Sequence, residues 1–244
     1  MRIKLVFHYD GDKPIPFNRN HAMSSWIYRC IRFYNRDYSE MLHFDRDIKL
    51  FVFSDLHIPG YRISEKGLFT DRDEVYFYLS SPRSEFISNL VKGLLNSVDE
   101  NVLSLGKVEL KIKSIETLKS IDFGENATFK ALSPIVASTF QDRKTFYLSP
   151  DKEKFYENLK NNLKKKYQMV YGKSYKKGIE IEPVYEKFPR KIKYSIKIKE
   201  GHVIGFRIPL RITASKEILR VAYECGIGEK NSMGFGMLDL YGKV

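Results

Sequence analysis

Residues 223–237 read Tyr-Glu-Cys-Gly-Ile-Gly-Glu-Lys-Asn-Ser-Met-Gly-Phe-Gly-Met. Gly226, Gly228, Gly234 and Gly236 frame a polar centre of Glu229, Lys230, Asn231 and Ser232. Glycine permits positive φ and close approach of backbone to a ligand. Successive unobstructed N–H groups with a lysine among them can hold a phosphate. A plainer reading also exists, in which Gly226 ends a helix and the other glycines form a tight turn. Four glycines around a Lys-Asn-Ser centre favour the anion-binding reading, with Gly226, Gly228, Lys230, Asn231, Ser232, Gly234 and Gly236 as contacts. The chain also holds groups able to move protons. There are five histidines, His8, His21, His43, His57 and His202, and histidine titrates near neutrality. Composition does not choose among them. No CxxC and no His/Cys cluster with zinc spacing occurs, so neither a metal nor a cofactor is expected.

The partner implied by composition is a polyanion. Of 244 residues, 42 are Lys or Arg against 30 Asp or Glu, a net charge of +12. The 16 tyrosines and 17 phenylalanines could serve as stacking platforms, though most aromatic residues build cores. Cys30 and Cys225 each lie in apolar helical patterns and read as buried free thiols. The N-terminus lacks a signal-peptide core, and no apolar run approaches the length of a membrane span. The expectation is a soluble cytoplasmic protein.

Apolar periodicity locates the elements that must position these groups. Residues 2–9 alternate as a strand. Met23, Trp26, Ile27, Cys30, Ile31 and Tyr34 form one helical stripe, with Asn20 as the expected N-cap. Tyr28 lies roughly 130° from the centre of that stripe and faces away from it. A short helical turn follows at 37–43, where a histidine at position 43 would suit a helix C-terminus. A strand at 50–53, an irregular hairpin at 57–70 and a strand at 75–79 come next. Ser81-Pro82 reads as an N-cap and first helical residue. The helix after it carries Phe86, Ile87, Leu90, Val91, Leu94 and Leu95 on one face, and 108–115 closes the unit as a strand.

This order is β-α-β-β-α-β, and it starts again after polar residues 119–126. A strand at 127–138 precedes a helix at 150–171, which places Phe155, Leu159, Leu163, Tyr167 and Val170 inside. Lys160, Lys164, Lys165 and Lys166 are expected on its solvent side. Strands at 179–185, 191–199 and 203–212 and a helix capped by Ser215 lead to the glycine loop and a last strand, 237–241. The predicted fold is α+β, two tandem ferredoxin-like domains of the RNA-recognition type, residues 1–119 and 120–244. The placement of the loop rules out two nucleotide-binding motifs. A P-loop or dinucleotide fingerprint follows a strand and opens a helix; this loop follows a helix. Lys173, Lys176, Lys177, Arg190, Lys191 and Lys193 form the densest basic run, and Lys173, Arg190 and Lys191 are added as contacts for the polyanion.

The segment Gly-Ile-Gly-Glu-Lys-Asn-Ser-Met-Gly-Phe-Gly-Met resembles the C-terminal signature of the repeat-associated RNA-binding superfamily. Trp-Ile-Tyr-Arg-Cys-Ile, Met-Leu-His-Phe and Ile-Lys-Leu-Phe resemble the catalytic region of archaeal CRISPR repeat-processing endoribonucleases, the sixth Cas family. Leu-Ser-Pro-Ile-Val and Lys-Tyr-Gln-Met-Val-Tyr-Gly are similar to the opening of their second domain. The resemblance covers nearly the whole chain. It implies metal-independent cleavage of the CRISPR transcript within each repeat. Attack by a 2′-hydroxyl would leave a 2′,3′-cyclic phosphate and a 5′-hydroxyl. It also implies Tyr28, His43 and Lys49 as the catalytic positions. Where relatives have a Gly-Pro type turn, this chain has Arg46, Asp47 and Ile48.

Those residue types suit that chemistry. Histidine can act as acid or base, lysine can stabilise a dianionic phosphorane, and tyrosine can orient or polarise the 2′-hydroxyl. The division of acid and base work between Tyr28 and His43 stays open, with His21 as the nearest alternative histidine. The implied partner is CRISPR repeat RNA, single-stranded or weakly structured. Proteins of an effector complex, homodimerisation and a non-catalytic RNA-binding role stay open.

Overall fold

The computed structural model describes residues 1–44, 48–96, 101–185, 192–198 and 201–242. The chain forms two compact units. The first is Met1–Lys49 with Asp55–Lys119, and the second is Leu50–Ser54 with Ser120–Val244. No shift in composition marks the inclusion of 50–54 in the second unit.

In the first unit β1 (Arg2–His8) is followed by α1 (Asn20–Tyr34) and α2 (Arg36–Phe44). The segment assigned to the second unit holds the short β2 (Val52–Phe53). The chain continues through β3 (Arg62–Ser64), β4 (Gly67–Phe69), β5 (Glu74–Ser80), α3 (Ser84–Asn96), β6 (Leu103–Leu105) and β7 (Val108–Thr117). The order β1-α1-β2-β5-α3-β7 is βαββαβ. Strands of the first unit lie in the order β5-β1-β7-β6, each pair antiparallel. Alternation along β1 and β5 puts Ile3, Leu5, Phe7, Val75, Phe77 and Leu79 on the buried face. Phe7 stacks on Phe77 at 5.6 Å, and Trp26 of α1 meets both rings edge-on. These rings fix the roll of α1, so the side of the helix opposite Trp26 is the solvent side.

Helix α1 also packs closely on α3. A Cβ at Gly93 would lie 1.9 Å from the carbonyl oxygen of Cys30, so only glycine allows this approach. Cys30 is a buried free thiol that donates to Asn101 Oδ1 at 3.5 Å, and burial pushes its pKa up to about 12. The predicted stripe is buried from Met23 to Ile31, but Tyr34 is 43 % exposed because the helix ends there. Two caps differ from expectation. Asn20 is the first helical residue and Arg19 precedes it as the cap position, without a side-chain capping bond. Ser81 Oγ accepts the N–H of Arg83, a side-chain turn that leaves α3 to begin at Ser84.

The second unit continues with β8 (Asn126–Ala131), β9 (Ser138–Gln141), β10 (Lys144–Tyr147), α4 (Glu153–Tyr171), β11 (Glu180–Pro183), β12 (Ile192–Ile198), β13 (Gly201–Arg207), β14 (Leu210–Thr213), α5 (Lys216–Cys225) and β15 (Leu238–Leu240). Its sheet runs β11-β14-β8-β15, all antiparallel, the ferredoxin-like order. The single strand expected over 203–212 is two strands. Pro209 has no N–H to give a ladder and sits at the break. β13 pairs with β12 in a separate hairpin, and β14 joins the main sheet. Likewise the strand expected through Ser138 stops at Ala131, and β9 with β10 forms a second hairpin. Helices α4 and α5 bury Phe155, Leu159, Leu163, Ile218, Leu219 and Ala222 against the sheet. Ser215 is the N-cap residue of α5 as expected, and Gly172 ends α4 in the left-handed conformation.

Candidate active site and glycine loop

Tyr28 and His43 belong to adjacent helices joined by one residue. The N–H of Asn35 donates to Ile31 O at 2.8 Å and closes α1, while its Oδ1 accepts the N–H of Tyr38 at 3.0 Å and opens α2. The chain therefore turns sharply at Asn35, and α2 comes back against α1. Ser39 Oγ donates to the carbonyl oxygen of Tyr28 at 3.2 Å. One turn beyond Ser39, the His43 ring faces the Tyr28 ring edge-on, with centroids 6.2 Å apart and planes at 85°.

The two rings line a groove of about 570 Å³ together with Ser25, Arg29, Arg32, Ser39, Glu40 and Phe44. Its charge is positive. Arg36 holds Glu40 at 2.8 Å. That hydrogen bond and charge, with the Arg32 charge behind them, hold the Glu40 carboxyl below the usual range. Arg29 donates to Val102 O at 2.7 Å, which keeps it against the rim. The geometry thus offers a proton-transfer group, a phenol and two guanidiniums around one open space. The arginines were missed in the sequence. The signal was present, because Arg32 follows Tyr28 by one helical turn and so shares its face.

The other histidines are employed elsewhere. His8 Nε2 lies 3.0 Å from Asp10, His57 stacks on Tyr76 at 4.9 Å, and His202 Nδ1 meets Ser195 Oγ at 3.2 Å. His21 is exposed near the start of α1 and does not line the groove. Lys49 is partly buried and is not among the groove-lining residues. Residues 45–47, between His43 and Lys49, lie outside the described residues, as do Arg190 and Lys191. Lys173 is exposed just beyond the end of α4. Among the described residues no three His, Cys, Asp or Glu side chains gather as a metal site would require. No helix among them is long and apolar enough to cross a membrane.

The glycine loop is built differently from the expectation. Lys166, predicted on the solvent side of α4, is fully buried beneath the loop. Its Nζ donates to Gly226 O at 2.8 Å, Gly228 O at 3.0 Å and Asn231 Oδ1 at 2.7 Å. Three acceptors match the three protons of an ammonium. Burial lowers its pKa to about 7, against the opposing charges of Cys225 and Glu229. Asn231 is itself buried, and its Nδ2 donates to Ile227 O and Phe235 O. This amide cross-links the two ends of the loop, so it does not present a side chain to a ligand.

The glycines are also buried, not open backbone. Gly228 and Gly236 have φ of +69° and +72°, and an added Cβ would meet Val136 O at 2.3 Å and Ile227 O at 1.9 Å. They allow the loop to pack, and several of the loop's N–H groups are bonded inward. Ile227, Glu229 and Gly236 donate to Gly236 O, Val136 O and Pro134 O. The loop exposes Lys230, in a left-handed conformation at φ 59°, with Glu229, Ser232 and Met233 partly exposed.

Comparison with known proteins places this arrangement. Residues 14–116 match the model of CRISPR-associated protein Cas6, N-terminal, and residues 116–240 that of CRISPR associated protein Cas6, C-terminal. The chain belongs to the Cas6 family of CRISPR-associated proteins. A relative named CRISPR-associated endoribonuclease Cas6 1, from Methanocaldococcus jannaschii, is 36% identical over 98% of this chain and 92% of its own. A second, CRISPR-associated endoribonuclease Cas6 from Pyrococcus furiosus, is 30% identical over 93% of this chain and 84% of its own. A solved structure described as CRISPR associated protein Cas6 superposes with a TM-score of 0.84 at 34% identity, covering 99% of both chains. The tandem ferredoxin-like fold of this chain agrees with that solved neighbour.

Proposed function

We propose that this protein is an endoribonuclease that cuts CRISPR precursor transcripts within the repeat, without a metal ion, by attack of the 2′-hydroxyl on the adjacent phosphate. The observation that carries this reading is the edge-on pair Tyr28–His43, 6.2 Å apart across a basic groove. In the reaction the 2′-oxygen forms a bond to phosphorus and the bond from phosphorus to the 5′-oxygen breaks. One proton leaves the 2′-hydroxyl and one arrives on the 5′-oxygen. The products are a 2′,3′-cyclic phosphate and a 5′-hydroxyl.

His43 serves proton transfer, and the Tyr28 hydroxyl orients or polarises the reacting oxygen. A cation must meet the growing phosphorane charge. Lys49 is assigned that role by family resemblance, and Arg32 by its place in the groove. Catalysis then belongs to residues 1–119, and residues 120–244 hold the RNA through Lys230, Ser232 and the exposed Lys173. Relatives named for endoribonuclease activity support the reading. A second reading, a non-catalytic RNA-binding subunit of a CRISPR effector complex, has support from Lys49 lying outside the groove lining.

Incubation with end-labelled repeat RNA in EDTA decides between them. Cleavage at one position, lost when the nucleotide 5′ of the cut is 2′-deoxy, is the expected result. Tight binding of RNA that stays intact would leave the binding reading. Cutting of the 2′-deoxy substrate would refute the 2′-hydroxyl mechanism.

A further inference from the structure

The hairpin of β9 and β10 is tied to the glycine loop at one end and carries an exposed aromatic ring at the other. Glu229 of the loop accepts both the N–H and the hydroxyl of Ser138, at 2.8 and 2.6 Å. Tyr147, directly opposite Ser138 in the ladder, packs against the buried cluster of Val136, Val203 and Phe235, and the nearby Glu229 charge adds to burial in raising its phenol pKa. Side chains alternate along a strand. The face that holds Ser138 and Tyr147 therefore also holds Phe140, paired with Thr145. Phe140 is 74 % exposed. Phe146 lies on the opposite face.

The tip beside Phe140 is Asp142-Arg143. Both residues have positive φ, 50° and 60°, as a two-residue turn that follows the strand twist requires. Arg143 and Lys144 put positive charge beside the ring, and Lys230 adjoins the Glu229 anchor in sequence. One exposed ring on each face of a ribbon of two four-residue strands, Phe140 and Phe146, is too small for a stable protein interface, which needs about 1,000 Å². An aromatic side chain next to cations suits one unpaired base and its phosphates.

We propose that Phe140 is a stacking platform for one base of single-stranded RNA lying along the glycine loop, with Arg143 and Lys230 meeting the flanking phosphates. This rests on the proposed RNA substrate and adds a binding position to it.

The test measures anisotropy of fluorescein-labelled repeat RNA, 2′-O-methylated throughout so that it cannot be cut by 2′-hydroxyl attack. Phe140→Ala is expected to weaken binding roughly 5- to 150-fold, the range for loss of one stacked base. Phe146→Ala, on the other face, is expected to change it by less than about twofold. Phe140→Trp keeps a platform, so affinity stays near wild type and its indole emission falls as RNA is added; the one native tryptophan, Trp26, is buried and gives a steady background. Wild-type affinity in Phe140→Ala, equal losses in both alanine variants, or an unquenched Phe140→Trp overturns the proposal. So does a Phe140→Ala change confined to self-association, measured by sedimentation, which would mark a protein-binding face. A wild-type protein that binds this RNA but cuts no unmodified repeat refutes the nuclease reading and leaves the platform standing. A wild-type protein that binds no RNA refutes both.

Discussion

Replacing Lys166 by methionine keeps the bulk of the side chain and removes its three hydrogen bonds. Gly226 O, Gly228 O and Asn231 Oδ1 would be left buried with those bonds unmade. A hydrogen bond is worth about 0.5–1.5 kcal/mol net, and more when one partner is charged. At pH 6, below the value of about 7 to which burial lowers Lys166, the group is protonated. Desolvation of the buried charge offsets the extra strength of charged bonds, so three bonds at roughly 1–1.5 kcal/mol each put the loss near 3–4.5 kcal/mol. The loss is local to the loop, because the acceptors span only residues 226–231. Amide hydrogen exchange over 225–237 reads it directly. The N–H groups of Ile227, Glu229 and Gly236 are internally bonded in the native loop. Their protection should fall by about two to three decades at ~1.4 kcal/mol per decade. Repeat-RNA affinity should fall with it, since Lys230 and Ser232 depend on the loop for their position. Protection within about threefold of wild type would show that the glycine packing alone holds the loop and would refute this account of Lys166.

The same lysine sets a pH dependence. The unfolded chain holds this proton to about pH 10.4 and the native chain only to about 7. Between those values the unfolded state binds more protons, so native stability rises with pH. Urea denaturation at pH 6, 8 and 9.5 should show the wild-type advantage over Lys166→Met growing with pH; a shrinking advantage would contradict the sign. His43→Ala should lower the single-turnover cleavage rate roughly 100- to 10,000-fold while repeat-RNA affinity stays within about threefold; equal losses would make His43 a binding residue. Arg32→Ala should cost roughly 10- to 1,000-fold in rate at saturating RNA if its guanidinium meets the phosphorane, and Arg32→Lys should recover part of it; an unchanged rate would leave the cation role to Lys49. Gly93→Ala pushes a Cβ to 1.9 Å from Cys30 O, so α1 and α3 must separate. A loss of about 1–3 kcal/mol should appear as an earlier urea transition of Trp26 fluorescence, and an unshifted transition would show that the helices part without cost.

The pattern of apolar residues carried most of the fold into view. Trp26, Ile27, Cys30 and Ile31 marked the buried face of α1, and Tyr28 was legible as off that face. Periodicity failed where polar chemistry overrides it. Lys166 lies three residues after Leu163 and seven after Leu159, on the buried stripe of α4. Its charge argued for solvent, and the acceptors that let it be buried come from residues 60 or more positions away. The glycines form the most particular pattern in the sequence, and the structure gives Gly228 and Gly236 a packing reason. Their spacing reports how tightly the backbone packs on Val136 and Ile227, which a one-dimensional pattern cannot distinguish from a backbone left open for a ligand. The hairpin at 138–147 was hidden for a related reason: its turn, Asp142-Arg143, has no glycine to announce two residues at positive φ.

Asn35 explains why the candidate site could not be read from helical spacing. Tyr28 and His43 are separated by 15 positions, and in one unbroken helix that places them about 22 Å apart along the axis. The sequence marks the break, with one helical stripe ending at Tyr34 and a second helical turn at 37–43, but not the angle between the two helices. The break comes from one side chain that can serve two helices. Its N–H ends α1, and its amide oxygen replaces the missing acceptor at the start of α2. The chain reverses within a residue, Ser39 fastens the second helix to the carbonyl of Tyr28, and the rings meet at 6.2 Å. The spacing that matters for the chemistry is therefore set by a turn outside the groove, while the residues lining the groove are free to be chosen for charge and proton transfer.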